Sequence, residues 1–400
     1  MLIVSQYFWP EVGAAQTRLA AVVTELRNLG HTVDVVTSMP NYPNGVIADG
    51  YRRTLTMREE VFGASVRRVW VYAAMGTGAK RLLNYLSFTT LSVFGLLRSK
   101  KPDVLVIESP PLFVAWPALV YCRVRRVRSV LNVADLWPDA AVAVGALREG
   151  RVLRLMRRLE LWAYRRADVI STVTDKVADR LVDKGVEPGR IVMLPNAVDT
   201  DLFRPGRANV DLADYGVDGR PFIVYAGTMG LVHGVEPLVE AMHAVAGRSD
   251  MPDLLMVGGG SERKKLERLA DSLDLRNVHF RDPVPTETLA EILRAATAGV
   301  VTVAPIALNE AARPAKLFPL MAAGLPVLSI GPSVGSDVVD TAGAGIVAPN
   351  DRASIVAALE ELMADADRRR RWGNNARSWV DPDWSWGRIV QDWAAGVMPS

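Results

Sequence analysis

Two basic residues, Arg313 and Lys316, stand three positions apart at the start of a short apolar segment. The segment has a helical pattern and ends at a Gly-Leu-Pro turn, after which a buried strand is expected. A guanidinium, an ammonium and a helix N-terminus would then meet at one place, and all three attract phosphate. We therefore predict that Arg313 and Lys316 bind an anion, and a diphosphate in particular.

Two glycine-rich turns strengthen this prediction. Gly227 and Thr228 follow one predicted strand, and Gly258 and Gly259 follow another. Bare backbone at such turns can donate N–H groups to phosphate, although either turn alone is more often only structural. Together with the basic pair, they favour a nucleotide diphosphate site, with His233 as the one histidine near the ligand. The sequence lacks a P-loop lysine motif, which disfavours nucleoside triphosphate hydrolysis.

Carboxylates and an indole follow a predicted strand in the first half of the chain. Asp135, Trp137 and Asp139 alternate with other residues there. A carboxylate at this place can accept a hydrogen bond from a sugar hydroxyl or act as a base, and the indole offers a flat apolar face. The alternative is that Asp135 or Asp139 caps a helix. Gly13, between the first strand and the first helix, lets a ligand approach the backbone at that helix N-terminus.

Short apolar runs alternate with amphipathic segments throughout the chain, which is typical of parallel sheets flanked by helices. We predict an α/β fold with two doubly wound domains, residues 1–197 and 198–383. The tryptophan-rich segment 384–400 is expected to dock as a helix back on the first domain. Ligands of such sheets bind at the carboxyl ends of the strands, so the domains are expected to face each other across one cleft.

The formal charge of +3 is unevenly distributed. Residues 1–200 hold 27 Lys and Arg against 18 Asp and Glu, a net of +9, whereas residues 201–400 hold 20 against 26, a net of −6. The arginines of the first half are not interleaved with stacking aromatics, which disfavours nucleic acid as a partner. A solvated helix face is one interpretation of these arginines. An anionic membrane surface is the better functional interpretation, because the uncharged residues 82–97 are flanked by lysines and arginines. A core helix is the alternative for that segment.

Cys122 is the only cysteine, which excludes an internal disulfide and a thiolate zinc cluster and fits a reducing cytoplasm. The first residues lack the basic region of a signal peptide, and no segment has the length and polarity of a transmembrane helix. We expect a cytoplasmic protein that can work at the inner face of the cell membrane. The four histidines lack metal-ligand spacing, so neither a metal nor a cofactor is expected.

Four segments together resemble glycosyltransferase family 4, and the likeness covers nearly the whole chain. They are LPNAVDTDLF at 194–203, VYAGTMGLVHG at 224–234, LMVGGGSERKKL at 255–266 and RPAKLFPLMAAGLPVL at 313–328. ESPPLF at 108–113, DLWPDA at 135–140 and RPAK are similar to the branch that transfers amino sugars, such as N-acetylfucosamine, in bacterial surface-polysaccharide assembly. The resemblance implies two Rossmann-like domains in the GT-B arrangement.

The resemblance further implies a retaining enzyme that needs no metal. Such an enzyme moves a sugar from a nucleotide-sugar donor on the second domain to an acceptor on the first. We expect a UDP-linked, N-acetylated amino or deoxyamino sugar as donor, and a glycan, lipid-linked or natural-product acceptor. A non-catalytic scaffold and a nucleotide-sugar epimerase of the same architecture are the alternatives.

Residue roles follow from the same resemblance. In many relatives an arginine and a lysine after the second domain's first strand contact the diphosphate, and those positions are Thr228 and His233 here. Arg313 and Lys316 are therefore assigned the catalytic contact with the diphosphate. The residues assigned to donor binding are Gly13, Gly227, Thr228, His233, Gly258, Gly259, Val284, Glu310 and Leu317.

Two departures from the family pattern affect the expected site. The paired glutamates of the family fall on Ala311 and Pro319, so neither is present, and Glu310 lies one position from the first. In relatives the second glutamate usually binds the ribose hydroxyls, so no residue is assigned to ribose here. The histidine that often precedes the first-domain aspartate is Ala134, so Asp135 is the catalytic candidate on the acceptor side. Trp137 and Asp139 are expected to contact the acceptor.

Overall fold

The structure is a computed structural model that describes residues 1–11, 13–42, 44–74, 76, 78–143, 150–217 and 219–398. The chain forms two compact units. The first comprises Met1–Pro195 together with Trp386–Ser400, and the second comprises Asn196–Ser385. The expected boundaries, after residues 197 and 383, each lie two residues from the observed ones.

An eight-stranded sheet forms the centre of the first unit. Its strands are β1 (Leu2–Val4), β2 (Asp34–Ser38), β3 (Thr56–Val61), β4 (Ala64–Val69), β5 (Val104–Ser109), β6 (Arg128–Val133), β7 (Val169–Thr172) and β8 (Ile191–Met193). Its helices before residue 195 are α1 (Ala14–Asn28), α2 (Ala79–Leu97), α3 (Ala115–Arg125), α4 (Asp139–Ala143), α5 (Arg151–Arg166) and α6 (Asp175–Asp183). The strand order is β3-β4-β2-β1-β5-β6-β7-β8, and all neighbours except β3 and β4 are parallel.

The antiparallel hairpin β3–β4 departs from the sequence-based expectation of a wholly parallel sheet. Phe62 and Gly63 link its strands with φ angles of 52° and 70°, as a type I′ turn requires. The residues of β3 are exposed or half-buried, and Glu59 pairs with the buried guanidinium of Arg68 on β4. Strand β3 therefore lacks the apolar run that indicated the other strands.

A six-stranded parallel sheet forms the centre of the second unit. Its strands are β9 (Phe222–Ala226), β10 (Asp253–Val257), β11 (Val278–Arg281), β12 (Ala298–Thr302), β13 (Val327–Ile330) and β14 (Gly345–Ala348). Its helices are α7 (Glu236–Ala244), α8 (Arg263–Ser272), α9 (Thr286–Ala295), α10 (Leu317–Ala322), α11 (Val334–Thr341), α12 (Arg352–Ala364) and α13 (Ala366–Val380). The order β11-β10-β9-β12-β13-β14 is that of a doubly wound Rossmann sheet, so the predicted fold class is confirmed.

The last helix, α14 (Trp386–Val397), returns to the first unit. Val390, Trp393 and Val397 are buried in the core that also contains residues of α1. The indole Nε1 of Trp393 donates a hydrogen bond of 2.7 Å to Ser171 Oγ on β7. Burial of these apolar side chains and the hydrogen bond from Trp393 therefore fix α14 against the first sheet.

Helix α2 contains the segment for which a membrane surface and a protein core were both considered. Its buried face includes Phe88 and Gly95, and a Cβ atom at Gly95 would lie 2.6 Å from Val36 Cγ1. Its other face leaves Leu83 and Leu97 exposed. One face of α2 therefore packs on the sheet, while leucines on the other face are exposed to solvent. In the ranges that the structure describes, no helix is both long and apolar enough to cross a membrane.

The two glycine turns of the second unit pack backbone against backbone. Gly258, with φ +146°, lies so close to the first turn that a Cβ atom there would be 2.0 Å from the carbonyl oxygen of Gly227. A Cβ atom at Gly260 would be 2.2 Å from the carbonyl oxygen of Met229. Gly259 between them has open space around it. The close approach of the loops after β9 and β10 therefore depends on Gly258 and Gly260.

We expect the substitution Gly258→Ala to lower the free energy of unfolding by about 2–4 kcal/mol, because it combines a steric clash with a left-handed φ. Gly259→Ala is the matched control and should change that free energy by about 0.5 kcal/mol or less. Urea denaturation followed by tryptophan fluorescence measures both. Equal unfolding midpoints for the two variants would contradict the packing argument.

Candidate functional site

Lys316 lies against the first glycine turn of the second unit. Its ammonium group is 3.8 Å from the ring centroid of Tyr225, at the end of β9, and donates a hydrogen bond of 2.5 Å to the Tyr225 hydroxyl. That hydroxyl in turn donates to the carbonyl oxygen of Thr228 at 2.6 Å. A Cβ atom at Gly227 would be only 3.2 Å from Lys316 Cε. The tyrosine therefore positions the cation beside a turn that leaves room for it.

The charge of Lys316 is not neutralised by the protein. No carboxylate of the described residues lies within ion-pair distance of its ammonium group. Burial lowers the pKa of Lys316 from its ordinary value to about 7. An unneutralised cation at the carboxyl ends of parallel strands is a suitable partner for an anionic ligand.

His233 lies beside this cation but is itself neutral at pH 7. Burial and, to a smaller extent, the charge of Lys316 together lower its pKa to about 4. Its Nδ1 atom is buried and has no hydrogen-bond partner in the described part of the chain. The side chain can exchange a hydrogen bond with a ligand, but it does not replace the cation that the family usually has at this position.

The backbone N–H groups of the glycine turns differ in their availability. Those of Gly227 and Gly258 donate to the carbonyl oxygens of Val257 and Arg281, so they do not serve a phosphate. These two glycines therefore do not offer N–H groups, and their place in donor binding, through close approach of a ligand to the bare backbone, stays a prediction. The N–H groups of Thr228 and Gly259 have no acceptor among the described residues, so they are available to a ligand.

Arg313 has a different environment from Lys316. Its guanidinium carbon lies 4.5 Å from the ring centroid of Trp384, a favourable cation–π distance. Trp384 in turn stacks on Trp379 at 4.7 Å and contacts Phe318. Arg313 therefore contacts the aromatic cluster formed by Trp384, Trp379 and Phe318. Lys316 instead contacts Tyr225 and lies against the glycine turn at Gly227.

The remaining candidates of the second unit line the surrounding loops. Glu310 is exposed in a short turn after β12, and Val284 is half-buried after β11. Neighbouring Asn309 is buried and donates to the carbonyl oxygens of Val232 and Ala304, which joins the loops after β9 and β12. Leu317 is fully buried and its N–H donates to Pro314, so the structure does not support a direct donor contact for Leu317.

In the first unit a buried ion pair was not predicted from the sequence. Arg18 on α1 lies 3.2 Å from a carboxylate oxygen of Glu108 at the end of β5. Asn132 on β6 donates to the other carboxylate oxygen at 2.8 Å. Burial raises the pKa of Glu108, and Arg18 and Asn132 oppose the rise. The available signal was an arginine on the apolar face of α1, beside Leu19 and one turn before Val22.

Among the acceptor-side candidates, Asp135 lies near enough to Arg18 for their charges to interact. Desolvation raises the pKa of Asp135, and the charge of Arg18 opposes the rise, although the side chain of Asp135 still reaches solvent. The Trp137 ring meets that of Phe113 edge to face at 5.5 Å. Gly13 immediately precedes α1, in an extended conformation. These positions leave Asp135 and Trp137 available to a ligand.

Asp139 has a structural partner instead. Its carboxylate lies 2.7 Å from the ammonium group of Lys184 and 3.5 Å from the guanidinium of Arg157. Lys184 also binds the buried carboxylate of Glu160 at 2.6 Å. The expected contact of Asp139 with an acceptor would have to compete with these ion pairs. In the described ranges, no three His, Cys, Asp or Glu side chains come together as a metal site would need.

Comparison with known proteins defines the class of this protein. Residues 13–197 match the family described as Glycosyl transferase 4-like domain, and residues 212–379 match Glycosyl transferases group 1. Each family model matches one unit, and the two together show that the chain is a glycosyltransferase. Neither the epimerase nor the scaffold alternative is favoured by these matches.

Individual relatives agree with this class. The chain is 27% identical over 334 residues to the glycosyl transferase WcaI of Escherichia coli K12, named for colanic acid biosynthesis, with 81% of each protein covered. It is 29% identical over 238 residues to a GDP-mannose-dependent phosphatidylinositol monomannoside mannosyltransferase of Mycobacterium tuberculosis, a match that spans 56% of this chain and 60% of that enzyme.

Solved structures confirm the GT-B fold. Sucrose-phosphate synthase from Thermosynechococcus elongatus is similar with a TM-score of 0.73 at 18% identity, over 98% of this chain and 97% of that one. WaaG, a glycosyltransferase of lipopolysaccharide biosynthesis, is similar with a TM-score of 0.66 at 18% identity, over the full length of both chains. At these identities the likeness concerns the fold alone.

We expect Lys316→Met to stabilise the protein at pH 6.5. The pKa of this lysine is about 7 in the folded chain and 10.5 as its ordinary value, so its burial destabilises the folded state below pH 7. The penalty declines as the pH rises from 7 towards 10.5. Because part of the side chain is accessible, we expect a gain of about 1–3 kcal/mol at pH 6.5 and a smaller one at pH 9.5.

Lys184→Met is the control for this prediction, since Lys184 has two carboxylate partners and its removal leaves Glu160 buried without a cation. That variant should be less stable than the wild type. Urea unfolding at the two pH values measures both effects. Loss of stability in Lys316→Met at pH 6.5 would show that the ammonium group is already compensated.

Proposed function

We propose that this glycosyltransferase is a retaining, metal-independent enzyme that transfers an N-acetylated amino sugar from a UDP-sugar. The observation that carries the proposal is the unneutralised ammonium group of Lys316 against the first glycine turn. A nucleoside diphosphate leaving group acquires negative charge as the glycosidic bond breaks. A cation already in place stabilises that charge without reorganisation, which is the largest single contribution in many enzymes.

The other groups of the turn complete this role. The N–H groups of Thr228 and Gly259 are free to donate to the diphosphate, and the neutral His233 can bond to a sugar hydroxyl. Arg313, held on Trp384, would clamp a phosphate with two parallel hydrogen bonds. Glu310 is the exposed carboxylate nearest the family's first glutamate position and is proposed to accept hydroxyl hydrogen bonds from the donor.

The acceptor is proposed to bind to the first unit. Asp135 would accept a hydrogen bond from the attacking hydroxyl, and its raised pKa suits a group that shares a proton. The positive charge of Arg18 would limit the rise in the pKa of Asp135. A lipid-linked acceptor agrees with the basic first half of the chain and with the exposed leucines of α2, which suit the cytoplasmic face of an anionic membrane.

The choice of donor rests on relatives. Similarity to an alpha-D-kanosaminyltransferase of Streptomyces kanamyceticus, 25% identical over 54% of this chain, supports an amino sugar. The similarity to a GDP-mannose-dependent enzyme makes a GDP-hexose the second candidate. The two candidates are separated by measuring the affinity of the chain for UDP and for GDP.

Lys316→Ala is expected to lower kcat/KM for transfer by about 100-fold or more, because the departing diphosphate loses its nearest cation. Lys264→Ala is the matched control in the same unit, since Lys264 is exposed on α8, and it should leave kcat/KM within about twofold. Arg313→Ala is compared with Arg268→Ala in the same way. Normal activity in both Lys316→Ala and Arg313→Ala, with folding intact by circular dichroism, would refute the diphosphate role.

The affinity for the nucleoside diphosphate is expected to fall as the pH rises from 7 to 9. The terminal phosphate is already ionised in this range, since its pKa is about 6, whereas Lys316, with a pKa of about 7, loses its proton. Calorimetric titration should show Kd rising by up to about tenfold per pH unit. The variant Lys316→Arg keeps its charge and should flatten the profile. A constant Kd in the wild type would mean that the ammonium does not contact the ligand.

A further inference from the structure

The first unit contains a cavity of about 790 Å³ that the transfer reaction does not use. It lies where β6 and β7 begin, between the ends of α3 and α5. Asp135 follows the opposite end of β6, and that strand alone is about 17 Å long. The cavity is therefore at the amino-terminal edge of the sheet, away from the carboxyl-terminal edge at which the acceptor is proposed to bind.

Positive charge dominates the lining of this cavity. Five arginines line it, and Asp168 is the one acidic lining residue, so the net lining charge is 5 − 1 = +4. Asp168 is already engaged, because its carboxylate accepts hydrogen bonds from the N–H and the hydroxyl of Ser129 at 2.8 and 2.7 Å. The arginines are Arg123, Arg126, Arg128, Arg165 and Arg166.

None of these guanidinium groups has a carboxylate within ion-pair distance in the described part of the chain. The Nε atom of Arg128 is buried and has no hydrogen-bond partner. The unsatisfied Arg128 donor is unfavourable because it is buried, and the other four arginines, which are exposed, repel one another. Both are relieved when an anion with several acceptor oxygens enters, and phosphate groups fit arginine best because the contact can be bidentate.

An apolar stripe on α3 leads to the cavity. Trp116, Val120 and Val124 follow one another at intervals of four residues on α3 and are exposed by 59%, 46% and 74%. Val120, Val124 and Trp162 also line the cavity itself. An apolar helix stripe that leads into an arginine-lined cavity matches a ligand with a phosphate at one end and a hydrocarbon chain at the other.

We propose that this cavity binds the phosphate-bearing headgroup of an anionic phospholipid, with the acyl chains against Trp116, Val120 and Val124. The cavity is large enough for a phosphorylated headgroup, since sites for small molecules range from about 300 to 1,000 Å³. The site is separate from the donor loops of the second unit and does not depend on the identity of the transferred sugar.

Vesicle co-sedimentation of the full chain tests the proposal. Vesicles of phosphatidylcholine with 30% phosphatidylglycerol are compared with phosphatidylcholine alone, at about 0.1 M salt, where screening of surface charge is substantial. The double variant R165A/R166A should bind the anionic vesicles about tenfold or more weakly than the wild type. Both arginines are exposed, so folding should be preserved, and circular dichroism checks it.

The matched control is R154A/R158A, which removes the same charge from exposed positions of the same helix outside the cavity. It should retain most of the vesicle binding. Equal losses in the two double variants would mean that net charge alone attracts the membrane, and would overturn the site. Val124→Asp should also weaken vesicle binding, and wild-type binding in that variant would overturn the role of the apolar stripe.

A second experiment, with a soluble ligand, distinguishes a lipid headgroup from free phosphate as the ligand of the cavity. Inorganic pyrophosphate is titrated into both double variants by calorimetry, so that any binding at the donor loops is common to the two and cancels. Cavity-dependent binding of pyrophosphate together with vesicle binding supports phosphate recognition by the arginines. Pyrophosphate binding without vesicle binding would overturn the lipid headgroup as the ligand. These measurements do not use transfer activity, so their failure leaves the proposed function untouched.

Discussion

The proposed site of the second unit depends on the ammonium group of Lys316, which has no carboxylate partner among the described residues. The ammonium group of Lys316 rests on the ring and hydroxyl of Tyr225 rather than on a carboxylate, so its field remains available to a ligand. The position depends on backbone geometry, because a Cβ atom at Gly227 would be 3.2 Å from Lys316 Cε and a Cβ atom at Gly258 would separate the two loops. Burial lowers the pKa of this lysine, which is the energetic consequence of keeping a binding charge unpaired in the unliganded protein.

In the first unit, by contrast, the buried charge is paired within the protein. Arg18 pairs with Glu108, and Asn132 occupies the other carboxylate oxygen, so this cluster is largely satisfied without a ligand. Buried groups that are paired in this manner mainly fix geometry. The contrast agrees with the proposed reaction, in which the second unit would stabilise developing charge on the leaving group and the first unit would orient a hydroxyl near Asp135.

The two edges of the first sheet also differ in their chemistry. Its carboxyl-terminal edge carries Asp135 and the paired charges, whereas its amino-terminal edge carries five arginines with little acidic compensation. Because β6 connects the two edges, a ligand at one edge is about a strand length from a ligand at the other. The same element can therefore serve a membrane contact and an acceptor site without competition between them.

The sequence by itself determined the two doubly wound domains, because buried parallel strands appear as apolar runs whatever their neighbours are. It also indicated the glycine turns and the basic pair before α10, since these depend on residue type and local order. Only the tertiary structure decided which groups remain available: the N–H groups of Gly227 and Gly258 are used within the sheet, Asp139 is paired with Lys184, and Leu317 is buried. The pairing of Arg18 with Glu108 and the arginine-lined cavity likewise arise from contacts between segments far apart in the chain, and such contacts leave no periodic signal in the sequence. The hairpin strand β3 is local, but its exposed and half-buried residues give no apolar run.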